Sequence, residues 1–258
     1  MQKILTPVVL AALIALASCA PISQIAQSAV KPNAPLTNLE IVNGLKELLL
    51  VGADSSVTKL SKVDGYLKDQ AVKILLPPEA KEITDNLSKF PGGQKLVDDV
   101  IVSINRAAED AAKNARPIFA KAIREMTFDD AFGILKGPDN AATQYFRDKT
   151  FMQLADLYRP KIHESLNKNL IGGFSTQQSW NELTNQWNKL AGTTVGRFAG
   201  LKSVNVRLED YLIQKALDGL FLKIAEREKD IRINAGARVT TLLKRVFGGQ
   251  GQATQMMN

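Results

Sequence analysis

Cys19 is the only cysteine among the 258 residues, and it ends the run Leu16-Ala17-Ser18-Cys19. A thiol behind small residues is what thioether attachment of diacylglycerol requires, and cleavage ahead of it frees an amine for a further acyl chain. Lys3 supplies a positive start, and Val8 to Leu16 form an apolar stretch too short to span a bilayer as a helix. Residues 1–18 therefore read as a lipoprotein signal peptide, with palmitate-type acylation expected at Cys19. An ordinary secretory leader with a chance cysteine behind it is the competing reading. One acyl chain gives marginal membrane binding, whereas two or more give a lasting anchor. Ala20 stands where an aspartate would signal inner-membrane retention, and Pro21-Ile22-Ser23-Gln24 carries no acid. The expected location is the periplasmic face of the outer membrane.

Other reactive residues are sparse. His163 is the one histidine, and Pro160 occupies the position a Glu-x-x-His pair would need, so no metal site built on His or Cys and no cofactor are expected, with a carboxylate-only calcium or magnesium site as the alternative. No EF-hand spacing and no Gly-x-Ser-x-Gly elbow occur. Ser-x-x-Lys recurs at Ser28–Lys31, Ser56–Lys59 and Ser165–Lys168, but its Ser-Asp-Asn and Lys-Thr-Gly companions are missing. No catalytic residue is assigned. His163 reads as a surface or half-buried helix residue.

Four further features concern polar groups. Asp129 and Asp130 open a helix, where free N–H groups favour carboxylates. Asp218-Gly219 interrupts the apolar run of Leu217, Leu220 and Phe221. A mid-helix glycine costs about 1 kcal/mol relative to alanine, so a neighbour, expected to be another helix, must approach that backbone closely. Arg106, Tyr145 and Arg147 flank apolar stripes and could pair with Asp218 or Asp130, giving a candidate ligand site or buried polar network. Finally Lys223, Arg227, Lys229, Arg232, Arg238, Lys244 and Arg245 outnumber Glu226, Glu228 and Asp230. They suggest a basic face for anionic lipid or an acidic partner, with a simple solvated surface as the alternative.

The elements that must position these groups are helical. Residues 19–36, with Pro21, Pro32 and Pro35, read as the lipidated N-terminus and a flexible tether. Thr37-Asn38-Leu39-Glu40 fits a capping box, after which Ile41, Leu45, Leu48 and Leu49 share a face. Asp64-Gly65 is a turn, Pro77-Pro78 opens the next helix, and Pro91-Gly92-Gly93 breaks the chain again. Val97, Val100, Ile101, Ile104, Ala108 and Ala111 form a 3.6-residue stripe. Pro117 starts a helix with Ile118, Phe119, Ala122, Ile123 and Met126 inward, and Thr127 to Asp130 caps another that ends at Gly137-Pro138. A long helix over 139–158 is expected to restart at Pro160, and Trp180, Leu183, Trp187 and Leu190 mark one more. Residues 191–207 read as a loop with a short strand at 204–206, and two helices near 208–233 and 236–247 precede a disordered tail from Gly248. The class is all-α, a single bundle of roughly eight to ten helices over residues 37–247.

Several runs resemble, in order and spacing, the bacterial domain-of-unknown-function family 4197, helical envelope proteins that often carry lipoprotein signals. They are GLKELLLVGADSSVTKL at 44–60, SINRAAEDAA at 103–112, MTFDDAFGIL at 126–135, AATQYFRDKT at 141–150 and KALDGLF at 215–221. The resemblance spans residues 40–247 and implies one all-helical domain with no established activity, substrate or catalytic residue. The glycine-rich stretch Gly192–Gly200 departs from the family pattern.

The formal charge of +7, about +6 once Lys3 leaves with the signal, points behind a lipid anchor to anionic lipid or an acidic envelope protein rather than nucleic acid. The favoured expectation is a non-enzymatic, membrane-tethered module that binds a protein or amphiphile. The alternative is a periplasmic hydrolase or lyase using Asp129, Asp130 or Asp218 with Arg106 or Arg147, which requires those groups to converge on an open cleft.

Overall fold

The computed structural model describes residues 35–81, 84–85, 93–168 and 175–248. The expected signal with Cys19, most of the expected tether and the stretch after Gly248 lie outside them. Nine α-helices and no β-strand occur among the described residues, as the all-α expectation requires.

Helix α1 (Asn38–Leu60) starts at the expected capping box: Thr37 Oγ1 accepts from the Glu40 amide, and the Thr37 amide donates to the Glu40 carboxylate at 2.8 Å. Its buried Leu45, Leu48, Leu49 and Val57 place it at the centre of the bundle. The later helices are α2 (Gly93–Ala112), α3 (Arg116–Glu125), α4 (Phe128–Lys136), α5 (Ala141–Asn167), α6 (Thr176–Gly192), α7 (Thr194–Phe198), α8 (Leu208–Ile233) and α9 (Thr241–Gly248). Helix α8 packs along both α1 and α5, α2 covers α5, and α3, α4 and α9 close over α1. The core between them is aromatic at its middle. Phe119 stacks on Phe146 at 4.9 Å between ring centres, and Phe221 meets Phe119 edge-on at 6.2 Å.

The stripes expected for α2 and α3 face inward, with Ile104, Ala108, Ala111, Phe119 and Ile123 all buried. Four expectations need correction. Helix α5 does not restart at Pro160 but runs through it. Pro160 and Asp156, whose carbonyl loses its partner, both lie on the solvent side, so water can satisfy the orphaned oxygen. The stretch 191–207 is not one loop with a strand: it holds α7, and residues 201–207 follow as irregular chain. Leu190 faces solvent instead of the core, while Trp180 is buried, Trp187 is half-buried and the side chain of Leu183 lies outside the described part. The last helix starts at Thr241 rather than 236, because a 3-10 turn at Ala235–Ala237, capped by Asn234, comes first.

Candidate functional site

The chain between α1 and α2 carries most of the polar organisation. At the Asp64-Gly65 turn Asp64 has φ of 69°, and a side chain on Gly65 would collide with the carbonyls of Lys59 and Leu60. The backbone amides of Tyr66 and Leu67 donate to one oxygen of the buried Glu109 at 3.1 and 3.2 Å. Arg106 holds the other oxygen at 2.6 Å and reaches Asp64 at 2.7 Å. One turn away, Asn105 treats Ile74 as a strand neighbour would. Its carbonyl accepts from the Ile74 amide at 2.9 Å and its amide donates to the Ile74 carbonyl at 2.8 Å. The Tyr66 hydroxyl donates to the Ala216 carbonyl at 2.8 Å, with burial pushing that phenol far up.

These clamps lay residues 71–75 along α8 and leave a groove of about 310 Å³. Val72, Leu75 and Leu222 supply apolar walls, while Lys73, Lys215 and Asp218 supply charge. Asp218 is met by Arg147 at 2.7 Å and by Gln214 at 2.9 Å. The guanidinium of Arg147 also lies 5.1 Å from the Phe151 ring centre and 5.5 Å from that of Phe221. The Arg147–Asp218 pairing anticipated from sequence thus exists. The neighbour at Gly219 is not a helix. A Cβ there would sit 3.0 Å from the Tyr66 ring and 3.1 Å from Val72, both on the clamped segment.

Asp130 and Tyr145 also come together, but elsewhere. Asp130 completes a capping box with Thr127 at the start of α4. Burial and the neighbouring Asp130 charge push the Tyr145 phenol up to about 12. A small cavity of about 100 Å³ beside Tyr145 is lined by Lys121, Glu125 and Lys149. Arg106, Arg147 and Tyr145 therefore serve three separate clusters, and Asp129 is exposed. Among the described residues no three His, Cys, Asp or Glu side chains gather around a cation-sized space. Of the serines before lysines, Ser56 donates to the Gly52 carbonyl, Ser165 faces Ser103, and Ser28 lies outside the described residues.

The expected basic face is taken apart by folding. Lys223 is buried between Asp69 at 3.1 Å and Glu226 at 2.9 Å. Arg227 pairs with Asp230, and Arg245 pairs with Glu40 across the bundle. Arg238 donates to the Ile231 and Arg232 carbonyls, closing the end of α8. Arg232 is buried on Glu228, which leaves Lys229 and Lys244 as the exposed members. Net charge along a helix does not say which way its cations point.

One groove was missed entirely. Helix α6 and residues 204–209 bound about 390 Å³ lined by Gln177, Trp180, Asn181 and Asn185, with His163 at the edge. His163 Nδ1 lies 3.0 Å from Glu209, which Arg159 also meets at 3.0 Å. The four-residue spacing of Gln177, Asn181 and Asn185 was the available signal. Asn188, on the same helix, grips Val204 from both sides as Asn105 grips Ile74.

No curated protein and no solved structure matches this chain. The model of one family, described as Protein of unknown function (DUF4197), matches residues 35–248, which takes in all nine helices and each cluster above. The chain belongs to that family.

Proposed function

We propose that this protein is a lipid-anchored envelope module that binds an amphiphile or a segment of an envelope protein in the groove between residues 71–75 and α8. The leader pattern ending at Cys19 supports tethering to the periplasmic leaflet of the outer membrane. The groove itself carries the binding reading. Leu75 and Leu222 are 54% and 41% exposed on its rim, beside Lys73 and Lys215, so an apolar chain with an acidic group would find both parts of itself matched. The wall is rigid because Asn105, Glu109 and Tyr66 fix the 64–74 backbone from outside the groove.

Two measurements test this. Metabolic labelling with an alkyne fatty acid should mark the chain, and Cys19→Ser should abolish the label and release the protein from the membrane pellet. A photo-reactive phenylalanine analogue at Leu222 should give a discrete lipid or protein adduct in intact cells that Leu75→Glu abolishes. The same analogue at the exposed Met152, outside the groove, should give none. Label persisting on the Cys19→Ser variant, or identical adducts from positions 152 and 222, would contradict the proposal.

A further inference from the structure

The end of α6 and helix α7 form a tip whose apolar residues point outward. Phe198 is 97% exposed, Val195 75% and Leu190 49%. Scattered exposed apolar residues are ordinary, but a phenylalanine left almost wholly in water on an ordered turn is not. The turn is built, not loose. Thr193 caps α7 by accepting from the Gly196 amide and donates its hydroxyl to the Leu190 carbonyl. Any side chain on Gly196 would strike that same Leu190 carbonyl, and Gly200 takes φ of +74° to turn the chain back. The Trp187 indole then donates to the Lys202 carbonyl at 2.9 Å, pinning the returning chain. The main packing partner of α7 is α6, and α7 does not pack along α1, α5 or α8.

The segment that builds this tip carries charge of one sign. Residues 183–208 hold Lys189, Arg197, Lys202 and Arg207 and no acid. Arg207 pairs with Asp210, whereas Lys189, Arg197 and Lys202 are exposed and form no ion pair among the described residues. Exposed apolar side chains interleaved along the chain with cations that form no ion pair match the interface of an anionic bilayer, where the apolar groups enter the acyl boundary and the cations meet phosphates. We propose that the α6–α7 tip is a membrane-docking element for anionic phospholipid, with Phe198 and Val195 as the inserting residues. The function of this surface does not depend on the groove, and it would orient the body on the membrane that the anchor only tethers it to.

The test uses the full chain carrying Phe198→Trp, a change that the open surroundings of residue 198 accommodate. Flotation and tryptophan quenching are measured on phosphatidylcholine vesicles with and without phosphatidylglycerol, both containing brominated acyl chains. The signal of Trp180 and Trp187 is subtracted with the parent chain. Quenching and a blue shift at position 198 that require phosphatidylglycerol, weaken with salt and vanish in Lys189→Ala/Arg197→Ala/Lys202→Ala support the proposal. In a chain without an acyl anchor those three changes should lower vesicle partitioning roughly a hundredfold. An unshifted, unquenched residue 198 on anionic vesicles, or quenching equal on the two vesicle types, overturns it. Flotation on pure phosphatidylcholine separates the two ideas: its loss counts against the anchor, while quenching at 198 speaks for the tip alone.

Discussion

The most exacting test of this architecture is removal of Glu228. Helix α5 begins at Ala141, and its flanking Asn140 makes no side-chain cap. The cap comes instead from a carboxylate 86 residues further on. Glu228 accepts from the amides of Ala142 and Thr143 at 2.9 and 2.7 Å and from the Thr143 hydroxyl at 2.7 Å. Arg232, itself buried, closes the arrangement at 2.9 Å and donates onward to the Ile134 carbonyl. Glu228→Ala leaves a guanidinium buried without its counter-charge, which costs about 3–5 kcal/mol. Two helix-terminal amides lose their acceptor as well, bringing the expected loss to about 4–5 kcal/mol because the terms are not additive. Glu228→Gln keeps one acceptor oxygen and should cost about half as much. Adding Arg232→Met to Glu228→Gln should recover about 1–2 kcal/mol by removing the stranded charge. Urea titration followed by far-UV circular dichroism reads these differences from midpoint and slope. Amide exchange at Ala142 and Thr143 should accelerate in the alanine variant. A loss below about 1 kcal/mol for Glu228→Ala, or equal losses for alanine and glutamine, would refute the reasoning.

Three further outcomes follow from the same structure. Burial tends to raise the Asp69 carboxyl, but hydrogen bonds from Lys59, Lys223 and the Ala71 amide outweigh it and hold the group near 2, against 3.8 in the unfolded chain. Its folded value is depressed, so its stabilisation is complete above about pH 4 and is lost as pH falls through about 2. With one lysine largely in solvent this amounts to about 1–2 kcal/mol, and Asp69→Asn should flatten the stability profile in that window. Asn105→Leu should cost about 3 kcal/mol by stranding the amide and carbonyl of Ile74, and should loosen the groove wall, read as faster exchange over residues 72–75. Two helix-interior glycines should respond with opposite signs in thermal melts. Gly219→Val drives atoms into Tyr66 and Val72 and should destabilise by about 2 kcal/mol. Gly133→Ala, with nothing within 4 Å of its added Cβ, should stabilise by up to about 1 kcal/mol.

The elements of this fold were legible in the sequence wherever the deciding interaction is local. The Thr37–Glu40 and Thr127–Asp130 boxes, the α2 stripe and the Asp64-Gly65 turn each depend on residues no more than three or four positions apart. Such spacings carry their own geometry. The α5 break expected at Pro160 failed because a mid-helix proline is better tolerated where the freed carbonyl meets water, and that depends on which face the bundle covers. Among the site residues, Arg147–Asp218 and Asp130–Tyr145 were visible as candidate pairs. Arg106 was assigned to the wrong acids. Glu109 stands three residues along its own helix, a local pair, whereas Asp64 is brought to it by the chain reversal after α1.

What residue order determined by itself is therefore the helical class, the punctuation and the family. Only the tertiary structure decided where charge goes. It turned Lys223, Arg232 and Arg245 inward, sent Glu228 to cap a helix far away in sequence, and set Asn105 and Asn188 to stand in for missing strands. It also left Phe198 in water at the end of a built turn. The physical reason is that a polar side chain is satisfied by whatever donor or acceptor burial brings within about 3 Å, and composition along one helix holds no record of what the other helices bring.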